Sequence, residues 1–283
     1  MKRLVVFIAA VMLPILGFAQ AQINTKKVKI GDFTQKITKV VLTGNIFYDS
    51  TLENEIIARW KVSPYEFCSM EEFEELKGNE EYYFLITIKG QFKKESEPGL
   101  QFLTLVKGGA KAEKGISSML EIVSLPVASA EDPSGRELEY LPAFLDIIQT
   151  YTLESMERDI QGYGGLSNYS LNLLETRDMT LIFSEDDLSS EITEDIIDEC
   201  FDADMSITTE AGADNYMSDP NADVVVSYVV APTDAKAGSY CYKMLIGNQS
   251  HKVYYFRKHR IGKNLGVGYL AEDIKRIASY RVD

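Results

Sequence analysis

One order of elements runs through this chain twice, and that constrains its fold more than any single motif does. The first half opens on a short apolar strand, Val40 to Thr43, followed by a helix with Leu52, Ile56 and Trp60 at i, i+4, i+8. The second opens on Met179 to Phe183, followed by a helix with Leu188, Ile192, Ile196 and Cys200 at the same spacing. Ser50 with Glu53 has the spacing of a capping box at the first of these helices. A second short strand comes next in each half, Tyr65 to Cys68 and Met205 to Thr208, and then a short helix. Ser69 and Glu72 form a further capping box ahead of Phe73 and Leu76, while Ala213, Tyr216 and Met217 pack the later helix.

The strongest strand signals, rich in β-branched and aromatic residues, are Tyr82 to Ile88 and Ala222 to Val230. Each leads through short polar turns into two more strands, Leu100 to Val106 and Ile116 to Leu125 in one half, Tyr240 to Ile246 and Val253 to Arg257 in the other. Such short connections predict antiparallel meanders. A helix closes each half, Glu139 to Ile160 and Tyr269 to Ser279, with Pro142 tolerated near the start of the first. The predicted fold class is therefore α+β, two similar β-α-β-α-β-β-β-α units, each a mixed sheet covered by helices. The glycine-rich Gly162-Tyr163-Gly164-Gly165 marks the joint, giving a first unit over 22–161, a linker over 162–177 and a second unit over 178–283.

Residues 1–21 read as a secretory signal peptide. Lys2 and Arg3 precede an apolar run from Leu4 to Leu16, and Ala19-Gln20-Ala21 supplies the small residues of a cleavage site. No later apolar run is long enough to span a bilayer, so the mature chain is expected to be exported and soluble, in the periplasm or outside the cell. Loss of the leader removes two basic residues and no acids, leaving a formal charge of −16. Nucleic acid is excluded as a partner on that balance. The excess sits in one place: between Arg177 and Lys236 there is no Lys or Arg but there are sixteen Asp and Glu. Glu191, Asp195 and Asp198 are expected on the outward face of a helix, either a solvated face or a docking face for a basic partner. Clustered carboxylates also suit a hard cation, although EF-hand spacing is missing.

Three cysteines are too few for a disulfide scaffold. Cys200 and Cys241, in the same half, are the expected pair if one bridge forms, with Cys68 left as a small buried hydrophobe. His251 and His259 flank one predicted strand and are expected to be exposed, and no Gly-x-Ser-x-Gly elbow accompanies them. Gly262, Gly266 and Gly268 match neither phosphate-binding spacing and are expected to form a flexible connection. No cofactor, metal ligand or catalytic residue is nominated. A pair of carboxylates for glycoside hydrolysis needs no spacing that sequence reveals.

The element order, carried by Val40-Val41-Leu42-Thr43, Leu52 to Trp60, Tyr82 to Ile88 and Leu100 to Val106 with their second-half counterparts, resembles a small periplasmic α/β module. That module occurs as the TolB amino-terminal domain and in CsgG-like outer-membrane assembly proteins. The resemblance implies a non-catalytic unit in envelope complexes and carries no residue roles across. The leading expectation is an exported, non-catalytic interaction module that binds an envelope protein. The alternatives are a small-ligand or cation-binding periplasmic protein, with its site between the halves, and a carboxylate-based hydrolase.

Overall fold

A computed structural model describes residues 30–92, 95–157, 165–201 and 204–282. The expected leader, and Gly162, Tyr163 and Gly164 of the expected joint, lie outside these residues. The first unit comprises β1 (Ile37–Val41), α1 (Ile46–Arg59), β2 (Tyr65–Cys68), α2 (Met70–Leu76), β3 (Tyr82–Gly90), β4 (Leu100–Lys107), β5 (Leu120–Ser129), α3 (Arg136–Glu139) and α4 (Leu141–Glu157). The second comprises β6 (Thr180–Ser184), α5 (Glu194–Cys200), β7 (Met205–Thr208), α6 (Glu210–Ser218), β8 (Val224–Val230), β9 (Tyr240–Gly247), β10 (Val253–Arg260) and α7 (Ala271–Val282). Both sheets are mixed, ordered β2-β1-β3-β4-β5 and β7-β6-β8-β9-β10.

The two sheets agree in register as well as in order. Val41 faces Cys68 across a parallel pair as Ser184 faces Thr208. Tyr83 faces Lys107 across an antiparallel pair as Val225 faces Gly247. In both units the first three strands are parallel neighbours and the last three form the expected meander. The caps repeat too: Ser69 accepts Glu72 N–H at the start of α2, completing its capping box, and Thr209 accepts Gly212 N–H at the start of α6.

Two helix starts differ from the sequence reading. α1 begins at Ile46 under Asn45, whose side chain accepts from Phe47 and Tyr48 N–H, so Ser50 and Glu53 lie inside the helix and form no box. Asp49 instead turns back and accepts from Thr43 and Gly44 N–H at 2.8 Å each, which closes the turn above β1. The helix expected from Leu188 starts only at Glu194, capped by Thr193. Leu188 is held in a parallel bridge to Tyr269, and Ser189 N–H donates to Tyr269 O, so these backbone groups are committed to extended pairing.

The core is continuous across the halves. Leu52, Ile56 and Trp60 of the α1 region, Phe144 and Ile148 of α4, and Val226, Met244 and Ile246 of the second sheet belong to one buried cluster. Within it Tyr228 donates to Val127 O at 2.6 Å, tying edge strand β5 of one unit to β8 of the other. The opposite face of the second sheet packs Leu181, Phe183 and Leu245 under Ile274 and Ile277 of α7. The equivalent of the shared face in the first unit, Phe84, Ile86 and Val106, is closed locally by Phe73 of α2 and by Ala112 and Met119 from the β4–β5 connection. Residues Gly165–Thr176 of the expected linker form a 3-10 helix, with Leu173 buried in the second unit's core. Among the described residues, no helix is long and apolar enough to cross a membrane.

Candidate functional site

A buried polar cluster lies where the first unit meets the strand ends of the second. β6 stops at Ser184, whose N–H donates to Ser227 Oγ on neighbouring β8. Its own hydroxyl caps the following 3-10 turn by accepting from Asp186 N–H. That turn brings Asp187 inward, 3% exposed, where its carboxylate accepts from Ser227 Oγ at 2.6 Å. Above it stands Arg136, the first residue of α3, 6% exposed. Its Nη1 is 3.0 Å from Asp187 Oδ1 and its Nη2 3.4 Å from Oδ2, a fork on one carboxylate. Nε donates to Asp214 of α6 at 2.7 Å, and Nη2 also reaches Ser227 O at 3.1 Å. The guanidinium lies 5.3 and 5.0 Å from the ring centroids of Tyr140 and Tyr228, within cation–π range.

The electrostatics follow from this packing. Burial is the largest single influence and works against the Arg136 charge, but Asp187, Tyr140 and Asp214 together outweigh it, so the guanidinium is held charged above its ordinary range. Burial raises Asp214 and Glu210, and Arg136 opposes the rise in both. A cleft of about 300 Å³ opens beside this node, between the β5–α3 loop and the β8–β9 loop. Asp132, Asp186 and Glu210 line it together with Val127, Pro232 and Val267. Thr233 ties the two loops by donating to Ser129 Oγ from both its N–H and its hydroxyl. The arginine's donors are spent on the protein itself, so the node is a clamp. The charged side chains that face solvent in the cleft are carboxylates. No family model, no curated protein and no solved structure matches this chain.

The residues singled out from sequence lie elsewhere. Asp195 and Asp198 are exposed on α5, as expected. Glu191 is not on that helix; it is exposed ahead of it, and its carboxylate accepts from Ala271 N–H at 2.9 Å at the start of α7. Cys200 and Cys241, the pair named for a possible bridge, are free thiols in this structure, as is Cys68. Cys241 is buried and accepts from Gly268 N–H, whereas Cys200 packs half-buried among the residues around α7. Burial pushes the thiols of Cys68 and Cys241 up to about 11, the opposite of an activated nucleophile.

The histidines, expected to be exposed, are both engaged. His251 Nδ1 lies 2.6 Å from Asp146 Oδ2 on α4, and His259 Nε2 lies 2.7 Å from Gly266 O, with burial lowering the affinity of His259 for a proton. The glycine connection is not free either. Gly268, at φ +97°, packs on the backbone of Asp187 and Ser189, so closely that a Cβ there would stand 2.6 Å from Asp187 O. Arg136, Asp187, Asp214 and Ser227 were not nominated from sequence. Asp187 reads like its exposed neighbours Glu185 and Asp186, and Arg136 sits among acids on its own segment, so no local signal marks contacts that span 51 to 91 residues.

Proposed function

We propose that this protein is an exported, non-catalytic interaction module that assembles with a basic protein partner in the cell envelope through its second unit. The observation that carries the reading is the outward side of α5. Asp195 and Asp198 are exposed there, in a segment without a single Lys or Arg, and Glu191 is exposed ahead of the helix, beside the start of α7. Neither aspartate has an ion-pair partner among the described residues. The buried Arg136–Asp187 cluster, by contrast, is consumed in holding the two units together. The element order, which resembles that of envelope assembly modules, and the leader-like amino terminus are the grounds for reading export and an envelope setting. The test is a cross-linked pull-down from envelope fractions with the chain from Gln22 onward as bait. A partner with a basic surface, lost when Asp195 and Asp198 are changed to Lys, is the expected result. Retention of the same partner by that variant sinks the acidic face as the docking site.

A second reading has its own observation: the clamp leaves Asp132, Asp186 and Glu210 facing a small cleft, an arrangement suited to a compact organic cation. Such a ligand raises the melting temperature by mass action. A set of diamines and basic amino acids that gives no shift at millimolar concentration removes this reading.

A further inference from the structure

Beneath α7 the second sheet hides a lysine. Lys243, on β9, and Asp273, the third residue of α7, form an ion pair with both side chains fully buried. Among the described residues no other lysine–carboxylate pair is sealed in this way. The carboxylate is crowded with donors. Its Oδ2 takes Lys243 Nζ and, at 2.9 Å, Leu270 N–H; its Oδ1 takes the Tyr255 hydroxyl at 2.5 Å and Arg257 Nη1 at 2.8 Å. Tyr255 and Arg257 stand on β10, where Arg257 is the cross-strand partner of Lys243. Burial weakens the hold of Lys243 on its proton. Burial also works against the Asp273 charge, which Lys243 first, then Tyr255 and Leu270 N–H, hold below its ordinary range. Two charges kept from water are costly even when paired. The Arg136–Asp187 fork carries the same cost, and its guanidinium keeps its proton, whereas a buried lysine can give one up and become a nucleophile.

We propose that Lys243 and Asp273 condense after folding into an amide between their side chains, a covalent modification that locks α7 to β9. One proton passes from Lys243 Nζ to Asp273 Oδ2, which turns the ion pair into a neutral amine and a neutral acid without changing the net charge. The nitrogen lone pair then bonds to Cγ. Negative charge develops on Oδ1, where the Tyr255 hydroxyl and Arg257 Nη1 already stand as donors. A second proton leaves the nitrogen for Oδ2, the Cγ–Oδ2 bond breaks, and Oδ2 departs as water. The nitrogen keeps one hydrogen, Oδ1 becomes the amide oxygen, and neither an oxidant nor any other reactant is consumed. The product buries no charge at either position. Arg257 retains its ion pair with Glu272 at 2.9 Å, the amide oxygen goes on accepting from Tyr255 and Arg257, and Leu270 N–H gives up its acceptor. The bond spans 30 residues, and reductant cannot open it, in a chain whose three cysteines are free. It stands independently of the interaction reading.

The experiment is an intact-mass measurement on the full chain, purified from cells and denatured, followed by tryptic mapping. The expected mass lies about 18 Da, one water, below that of the sequence. Trypsin does not cut after an acylated lysine, so residues 237–252 and 264–275 should come off together as one branched peptide, with fragment ions that place the junction at Lys243 and Asp273. Lys243→Arg, which keeps the positive charge, should show the full mass and two separate peptides. A parent chain of full mass that trypsin cuts after Lys243 overturns the proposal. A loss of water without the branched peptide also overturns it, because the dehydration then lies elsewhere, as in a cyclised aspartate. The parent chain decides the matter by itself, so a Lys243→Arg protein that fails to fold takes nothing from the test.

Discussion

Arg136 and Asp187, 51 residues apart and on different units, face each other as a fork, with side chains 5% and 4% exposed. Breaking one member of such a pair leaves the other charge buried, which costs more than the intact pair is worth. Arg136→Met is expected to lower unfolding free energy by about 3–5 kcal/mol. Arg136→Met with Asp187→Leu should recover part of that loss, because the most deeply buried carboxylate is gone, while Asp214, 2.7 Å from Arg136 Nε in the parent, still loses its partner. Urea denaturation of the two variants measures the difference; equal destabilisation would show that Arg136 matters through its packing on Tyr140 and Tyr228 alone.

Glu121, on β5, gives the stability of the protein a pH dependence. One of its carboxylate oxygens is buried without a partner, and burial moves its pKa from 4.5 to about 7. The folded state therefore holds this proton more tightly than the unfolded chain does. Its contribution is full below pH 4.5, falls as pH rises to about 7, and is flat beyond. By the usual conversion of pKa to free energy, the fall is about 1–3 kcal/mol after allowance for partial exposure. Glu121→Gln should flatten the stability difference between pH 5 and pH 7 relative to the parent chain, as read from thermal melts at both values. Parallel pH profiles for the two proteins would refute the assignment.

The thiols should titrate in two classes. Cys200 is partly accessible and Cys68 and Cys241 are buried, so a thiol reagent is expected to label Cys200 in the native protein and the other two only on unfolding. All three should react in denaturant without prior reduction, and the melting temperature should ignore reductant. A chain that needs reduction before its thiols react contains the bridge that the structure lacks.

Gly268 differs from the glycines near it. Its positive φ and its contact with the Asp187 backbone predict that Gly268→Ala costs about 2–4 kcal/mol, combining backbone strain with a clash that only a shift can relieve. Gly262 and Gly266 meet nothing within 4 Å and have no positive φ, so their replacement by Ala should stay within about 1 kcal/mol. Chemical denaturation of the three single variants tests the contrast, and equal effects would contradict it.

Much of the fold is legible in the chain because it depends on local chemistry. Alternating and continuous runs of Val, Ile, Leu and Tyr mark β3, β4, β8 and β9 within two residues of their ends. Ser69 with Glu72 announces the start of α2, and the repeated order of elements becomes two sheets of the same topology. The errors are just as informative. Leu188 to Cys200 has a helical period, but backbone pairing of Leu188 and Ser189 with Tyr269, some eighty residues on, delays α5 to Glu194. At α1 the apolar period marks the buried face, whereas the helix starts earlier than the Ser50 spacing predicts because Asn45 supplies the cap.

The candidate site was not legible. Local pattern tells a buried apolar residue from an exposed polar one through periodicity, and it has no equivalent means of telling a buried carboxylate from a solvated one. Asp187 and Asp186 are neighbours of the same type; one is sealed under a guanidinium and the other lines a cleft. The sequence by itself determined the elements, their duplication and the acidic stretch, since these follow from side-chain period, turn chemistry and charge along a few residues. Tertiary structure alone decided that α3 and Arg136 of the first unit cover the strand ends of the second and seal Asp187 there. That choice depends on contacts between segments far apart in the chain, whose energies arise only once the two sheets have been brought together.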